Sequence, residues 1–131
     1  MTEEQLKEIN DDKGFFKHNS FHIIEANKDS VIVKVDISEN SLNPYGMVHG
    51  GIIFSLGDIA MGLLAFLAGG PSVTINASIN FLKPGKGKFL KGKAELIKNG
   101  SHICCLRSYI YDENENLIST MDGAYFFTDK K

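Results

Sequence analysis

The sequence predicts an α+β protein in which a curved antiparallel sheet wraps around one long apolar helix. An uninterrupted, mostly apolar segment spans residues 52–68, which is long enough for several helical turns. Segments with strand-like alternation lie on both sides of it, and short turns join the later ones, which favours antiparallel pairing. Because a helix that is apolar on almost every side has to be covered all round, a sheet wrapped around it is the simplest arrangement.

The elements before this helix are a helical extension and a hairpin. Residues 1–19 are expected as an N-terminal helical extension, with Leu6 and Ile9 as its apolar stripe. Segments 21–26 and 30–37 have strand character, and the intervening Asn-Lys-Asp supplies turn residues. They are therefore expected to pair as a hairpin.

The long helix and four strands follow a loop over residues 38–46. Gly69, Gly70 and Pro71 predict the end of the helix, since glycine stops helices and proline cannot continue them. In the strand that follows, an apolar residue stands at every second position from Val73 to Phe81, so Thr74 is expected on the opposite face. The expected strands are 73–81, 88–97, 102–111 and 117–128.

Composition narrows the class of protein. The 131 residues, 43% of them hydrophobic, are expected to form one domain over 1–131. A net charge of −2 argues against a nucleic-acid partner. The acidic N-terminal segment does not resemble a signal peptide, and the adjacent Cys104 and Cys105 are badly placed for a disulfide, so a reducing cytoplasm is expected. Asp58 would be costly inside lipid, so the apolar helix is not expected to span a membrane.

The start of the long helix is the first candidate site. It reads His49-Gly50-Gly51, and glycines at a helix start leave backbone N–H groups open to a ligand oxygen. A developing oxyanion would be stabilised there by hydrogen bonds and by the helix dipole. The alternative is that the two glycines only permit close packing.

Asp58 is the second candidate. It lies among Leu56, Ile59, Ala60 and Met61, and a carboxylate in apolar surroundings is costly unless it is paired or lines a cleft. Such groups are often functional, although an Asp that only bonds a neighbouring backbone group is the alternative.

Lysines are concentrated after the helix, at positions 83, 86, 88, 91 and 93. We expect most of them to protect the edge of a hairpin against aggregation. Lys83 and Lys86 are candidates for contacting a phosphorylated ligand.

Together these residues resemble the hotdog-fold acyl-CoA thioesterases, in particular the phenylacetate-pathway or PaaI-like branch. The resemblance covers residues 21–128 and rests on Asn43, on His49-Gly50-Gly51, on Asp58 and on the segment 79–84, Ile-Asn-Phe-Leu-Lys-Pro. It implies the hotdog fold and hydrolysis of an acyl-CoA thioester to a free acid and coenzyme A. An acyl-CoA-binding regulator without activity and a hotdog dehydratase are the alternatives.

The resemblance also implies roles for individual residues. Asp58 is similar to the family's catalytic carboxylate, which attacks the thioester or activates a water, and Gly50 to its oxyanion donor. His49 and Asn43 would orient the site and the water, and Thr74 matches a position where some relatives carry a hydroxyl group. Gly51 is a weaker candidate for substrate contact.

No metal or organic cofactor is implied, and the usual assembly is a homodimer, often paired into a homotetramer. Eight residues separate Gly50 from Asp58, which is roughly 12 Å along a helix. Because both groups would have to reach one carbonyl, we expect each active site to be built across the interface between two chains.

Overall fold

The computed structural model describes residues 1–128 of the chain. Its helices are α1 (Glu3–Asn10), α2 (Phe15–His18) and α3 (Gly50–Gly69), with a 3-10 turn at Glu39–Ser41. Its strands are β1 (Phe21–Asn27), β2 (Ser30–Asp36), β3 (Ser72–Phe81), β4 (Phe89–Asn99), β5 (Ile103–Asp112) and β6 (Leu117–Phe127).

One antiparallel sheet contains all six of these strands, in the order β1-β2-β4-β5-β6-β3. α3 contacts every strand, as the predicted α+β architecture requires. The two edges of the sheet are β1 and β3, and β3 is joined to the sheet only through β6.

The core lies between α3 and the sheet. Leu56, Ala60 and Met61 of α3 are fully buried, and so are the helix-facing residues of the central strands. The latter include Val31, Val33, Val35, Leu90, Leu106, Ile110 and Met121. Alternation along the strands places these apolar side chains on one face, which is the period that the sequence shows in β2.

α3 is covered on only part of its surface. By length and composition it could cross a membrane, with a mean hydropathy of 2.0, but only 39% of that apolar window is buried inside the chain. Phe54 and Phe66 are 36% and 44% exposed. The expectation that one chain surrounds its helix completely is therefore wrong, because part of the apolar surface is left open.

A β-bulge reverses the expected orientation of Thr74. β3 pairs with β6, and the register shifts between Thr74 and Asn76, which inserts one extra residue into β3. Thr74 then pairs with the buried Tyr125, on the same side as Ala77 and its partner Gly123. The prediction that Thr74 faces away from the apolar row was wrong, since the bulge interrupts the two-residue period.

The expectation that the lysines protect a sheet edge is also wrong for β4. Lys91 and Lys93 belong to β4, which lies between β2 and β5 in the interior of the sheet. Lys34 and Lys91 both approach the ring of Phe89, with Nζ at 4.8 and 5.7 Å from its centroid. These side chains therefore cover the outer face of the sheet rather than its edge.

The N-terminal segment is fastened to the sheet. Thr2 and Gln5 form a capping box at the start of α1. The Asn10 side-chain oxygen accepts a hydrogen bond of 2.8 Å from the amide of Ile23 in β1. Leu6 and Ile9, the two residues expected to form the apolar stripe, are partly buried against the core.

The close approach of α3 to the sheet gives a stability prediction. An alanine Cβ at Gly57 would lie 2.6 Å from Met121 Sδ and 2.8 Å from Ser108 Oγ, whereas at Gly62 the nearest atom is a ring carbon at 3.5 Å. Overpacking costs about 1–3 kcal/mol, against about 1 kcal/mol gained in helix propensity. Urea unfolding at one fixed protein concentration should therefore show Gly57→Ala less stable than Gly62→Ala by about 1–3 kcal/mol. Equal stabilities of the two variants would contradict this packing.

Candidate active site

The start of α3 presents a single open backbone donor. His49 is the N-cap residue, and its Nδ1 accepts a hydrogen bond of 2.8 Å from the Gly51 amide. The amides of Ile52 and Ile53 donate to the His49 carbonyl at 3.0 and 3.3 Å. The Gly50 amide has no hydrogen-bond acceptor within residues 1–128. Of the two glycines considered as donors, only Gly50 has its N–H available.

Phe81 explains why position 50 holds a glycine. An added Cβ there would lie 3.1 Å from Cζ of Phe81, closer than ordinary van der Waals contact. The aromatic ring at the end of β3 therefore covers the α-carbon of Gly50. Close packing and an open N–H occur at the same residue, so the two interpretations offered by the sequence are compatible.

Asn43 shapes the loop that faces this donor. Its side-chain oxygen accepts hydrogen bonds from the amides of Tyr45 at 2.9 Å and Met47 at 3.1 Å. This fixes the oxygen within the loop, while the side-chain NH₂ group has no acceptor in the described part of the chain. Asn43 and Gly50 line a cleft of about 360 Å³, together with Phe81 and Lys83.

Asp58 lies in a different cleft, of about 500 Å³, two turns further along α3. Thr74 Oγ1 donates to Asp58 Oδ1 at 2.8 Å, and the Tyr125 hydroxyl donates to the same oxygen at 2.5 Å. The Tyr125 hydroxyl is also 3.1 Å from the Asp58 carbonyl oxygen. Oδ2 of Asp58 has no partner among the described residues. The carboxylate is thus held by one oxygen and open at the other.

Tyr125 is the site residue that sequence reasoning missed. It is only 2% exposed, and burial raises the pKa of its phenol well above the ordinary value, with the neighbouring Asp58 raising it further. The hydroxyl therefore remains a donor. A sequence signal was available, because Tyr125 falls on the inward row of β6 with Met121 and Gly123, and a buried tyrosine hydroxyl needs a partner.

The structure separates the candidate residues into three groups. Asn43, Gly50 and Lys83 line the first cleft, and Asp58 and Thr74 line the second. His49 and Gly51 line a third cleft, and no described residue lines two of the three. Lys86 is exposed and lines none of these clefts. Within residues 1–128, no three His, Cys, Asp or Glu side chains are grouped so that they could hold a metal ion.

An open amide at a helix start and a carboxylate with one free oxygen are the parts needed for hydrolysis at a carbonyl group. Such groups are typical of a hydrolase. The thioesterase superfamily model matches residues 45–119, which is more than half of the chain. The protein therefore belongs to the thioesterase superfamily and is a thioester hydrolase, as the sequence predicted.

Solved structures of similar proteins agree with this assignment. The smu.793 protein of Streptococcus mutans, solved with acetyl-CoA, is 30% identical with a TM-score of 0.79, covering 85% of this chain and 90% of that one. A hypothetical thioesterase protein of Streptococcus pneumoniae, solved with coenzyme A, gives the same four values. The phenylacetic acid degradation protein PaaI of Thermus thermophilus shares the fold at 20% identity, with a TM-score of 0.80 and coverage of 86% and 97%. The predicted hotdog fold is confirmed, and so is the resemblance to the PaaI branch at the level of fold.

The N-cap hydrogen bond of His49 gives a prediction about the stability of the protein. Replacing His49 with Ala removes the acceptor for the Gly51 amide and should lower the free energy of unfolding by about 1 kcal/mol. His49→Asn is the matched control, since asparagine is a good N-cap residue and should retain most of the stability. If both variants unfold at the same urea concentration as the parent, the imidazole is not acting as a cap.

Proposed function

We propose that the protein hydrolyses acyl-CoA thioesters at active sites that are each formed by two copies of the chain. The observation that carries this proposal is that the open amide of Gly50 and the carboxylate of Asp58 lie in different clefts of one chain. Neither cleft alone contains both an oxyanion donor and a base. Two chains related by a two-fold axis would bring the Gly50 cleft of one against the Asp58 cleft of the other.

The distance along α3 supports the shared site. Eight residues of helix separate Gly50 from Asp58, or roughly 12 Å along the axis. Both groups have to come within about 3 Å of the reacting atoms. One straight helix cannot satisfy this condition, whereas two antiparallel helices can.

The surface available for such a dimer is the open edge of the sheet. β3 reads Ser-Val-Thr-Ile-Asn-Ala-Ser-Ile-Asn-Phe, without a charge or a proline, and its outer edge is unpaired within residues 1–128. Monomeric proteins usually block such an edge. Val73 and Ile75 are 51% and 52% exposed, and Phe66 of α3 is open on the same side. Antiparallel pairing of two β3 strands would cover these residues and place the two helices side by side.

The choice of acyl-CoA rests on the relatives and on one lysine. The Streptococcus mutans protein, with 30% identity over most of both chains, was solved with acetyl-CoA. Lys83 lines the Gly50 cleft and is exposed, so its ammonium group is available to a phosphate of the coenzyme. Cys104 and Cys105 are thiols, which suits the reducing cytoplasm that we propose as the compartment.

In the proposed reaction, the thioester carbonyl oxygen accepts a hydrogen bond from the Gly50 amide of one chain. A water molecule held by the Asn43 side-chain NH₂ attacks the carbonyl carbon, and its proton passes to Asp58 Oδ2 of the second chain. The Gly50 amide and the helix dipole stabilise the resulting oxyanion. The C–S bond then breaks, the proton passes from Asp58 to the thiolate, and the products are a carboxylic acid and coenzyme A.

Variants of a relative support the pairing of Asp58 with Thr74. In the Streptococcus pneumoniae protein, structures were solved of an aspartate-to-alanine and a threonine-to-alanine variant, and the two positions are 16 residues apart. Asp58 and Thr74 are also 16 residues apart and share a hydrogen bond.

The catalytic assignment predicts that Asp58→Asn folds and loses thioesterase activity. The amide preserves the shape of the side chain but is a very poor proton acceptor, so kcat should fall by about 10²-fold or more. Free-thiol release from a panel of short, medium, long and aryl acyl-CoAs measures this loss. Asp122→Asn is the matched control, because Asp122 is a carboxylate paired with Arg107 on the outer face of the sheet. If Asp58→Asn retains the parent rate on the best substrate, Asp58 is structural.

The shared site predicts complementation between two inactive variants. Asp58→Ala removes the carboxylate. Gly50→Pro removes the N–H at the first helical position, where the backbone tolerates proline, and adds a ring whose Cβ lies next to Phe81. Gly50→Ala is its control, since alanine adds a Cβ but keeps the N–H. Refolding the two inactive variants together should give about half heterodimers, each with one intact site of two, and thus about a quarter of the parent activity. A heterodimer that is detected by mass and remains inactive would contradict the shared site.

A further inference from the structure

We propose that Tyr125 is a positioning residue for catalysis, which together with Thr74 holds Asp58 Oδ1 and leaves Oδ2 as the reacting oxygen. This inference deepens the proposed function, since it assumes that Asp58 takes part in hydrolysis. Tyr125 does not belong to any of the sequence motifs on which the resemblance to the thioesterases rests. It rests on the hydrogen bonds and the burial of three side chains.

The two donors converge on one oxygen. Thr74 Oγ1 lies 2.8 Å and the Tyr125 hydroxyl 2.5 Å from Asp58 Oδ1, and no donor in residues 1–128 contacts Oδ2. A carboxylate fixed at one oxygen has its second oxygen in a defined direction. All three residues line the same cleft, so the free oxygen is within reach of a molecule bound there.

Tyr125 is the more rigid of the two donors. Its ring is 2% exposed and belongs to β6, which has strands on both sides, whereas Thr74 is an exposed residue of the edge strand. The second contact of the hydroxyl, with the carbonyl oxygen of Asp58 at 3.1 Å, fixes its place along α3. The Tyr125 hydroxyl therefore orients Asp58 from inside the core of its own chain.

The surroundings of Asp58 make the tyrosine hydroxyl important for its charge. The neighbours on α3 are apolar, β3 contributes the hydroxyl of Thr74, β6 contributes Tyr125, and Cys104 of β5 lies near Tyr125. In the proposed dimer, the Gly50 cleft of the second chain, with Lys83 as its charged residue, faces the same site. A carboxylate among apolar neighbours depends on the donors that it has, so removing the Tyr125 hydroxyl should loosen Oδ1.

The test compares kcat and KM of Tyr125→Phe with those of the parent in the free-thiol assay. A hydrogen bond to a charged group changes an equilibrium by about tenfold or more. Because the substitution loosens the carboxylate and leaves the substrate-binding surface unchanged, we expect kcat to fall by about tenfold with KM within about twofold. Tyr109→Phe is the matched control, since it removes a 2.9 Å bond from a tyrosine to the carboxylate of Glu95 on the other face of the sheet. Its kcat and KM should match those of the parent.

Two further measurements separate positioning from a loss of structure. Introducing 3-fluorotyrosine at position 125 retains the ring and the hydroxyl donor, so kcat should stay close to the parent value. Adding Tyr125→Phe to Thr74→Val should lower kcat beyond the Thr74→Val level. A Tyr125→Phe variant with the parent kcat, or a fluorotyrosine variant as slow as Tyr125→Phe, would overturn the inference.

Failure of this inference is distinguishable from failure of the proposed function. If Asp58→Asn is inactive and the Tyr125 variants match the parent, only the positioning role is wrong. If Asp58→Asn is active, the catalytic assignment itself is wrong, and the positioning role with it.

Discussion

The burial of α3 against one face of a single sheet determines the rest of the structure. Fully buried Leu56, Ala60 and Met61 are the side of the helix that the sheet covers. At Gly57 the backbone comes so close to β5 and β6 that Ser108 and Met121 leave no room for a side chain. Packing at this distance fixes the position of the helix along the sheet. The candidate site groups on α3, from Gly50 to Asp58, are placed by that contact.

One sheet covers only part of such an apolar helix. Phe66 stays exposed, and the neighbouring strand β3 ends the sheet with an uncharged edge. Within residues 1–128, an apolar side of the helix thus lies next to the unpaired outer edge of β3, and one two-fold contact would cover both. The clefts that contain Gly50 and Asp58 both border β3, through Phe81 at one end and Thr74 at the other. The exposed apolar surface next to β3 and the two clefts with Gly50 and Asp58 therefore lie on the same side of the molecule.

The elements could be predicted from the sequence because their signals are local. The period of two in β2 and the glycine stop after α3 depend only on neighbouring residues. The orientation of Thr74 depends on a bulge, which inserts one residue and has no clear signature in an Ile-rich strand. The position of β4 inside the sheet depends on strand order, which no local pattern in the sequence shows. The prediction that its lysines protect an edge was wrong for this reason. Tyr125 was missed because its partner, Asp58, is 67 residues away in the chain.

Because Gly50 and Asp58 lie two turns apart on α3, a negative charge at each position is stabilised by different groups. Gly50 is at the first position of α3, where open amides and the helix dipole favour a negative charge. That field falls off within the first turn, so it does not reach Asp58 two turns further on. A carboxylate two turns into the helix, among apolar neighbours, is stabilised by donors from outside its own helix. The bulged Thr74 and the buried Tyr125 are those donors. A negative charge at the start of α3 is thus stabilised by the backbone of the helix itself. The charge of Asp58, in the middle of the helix, is stabilised by hydroxyl groups from β3 and β6.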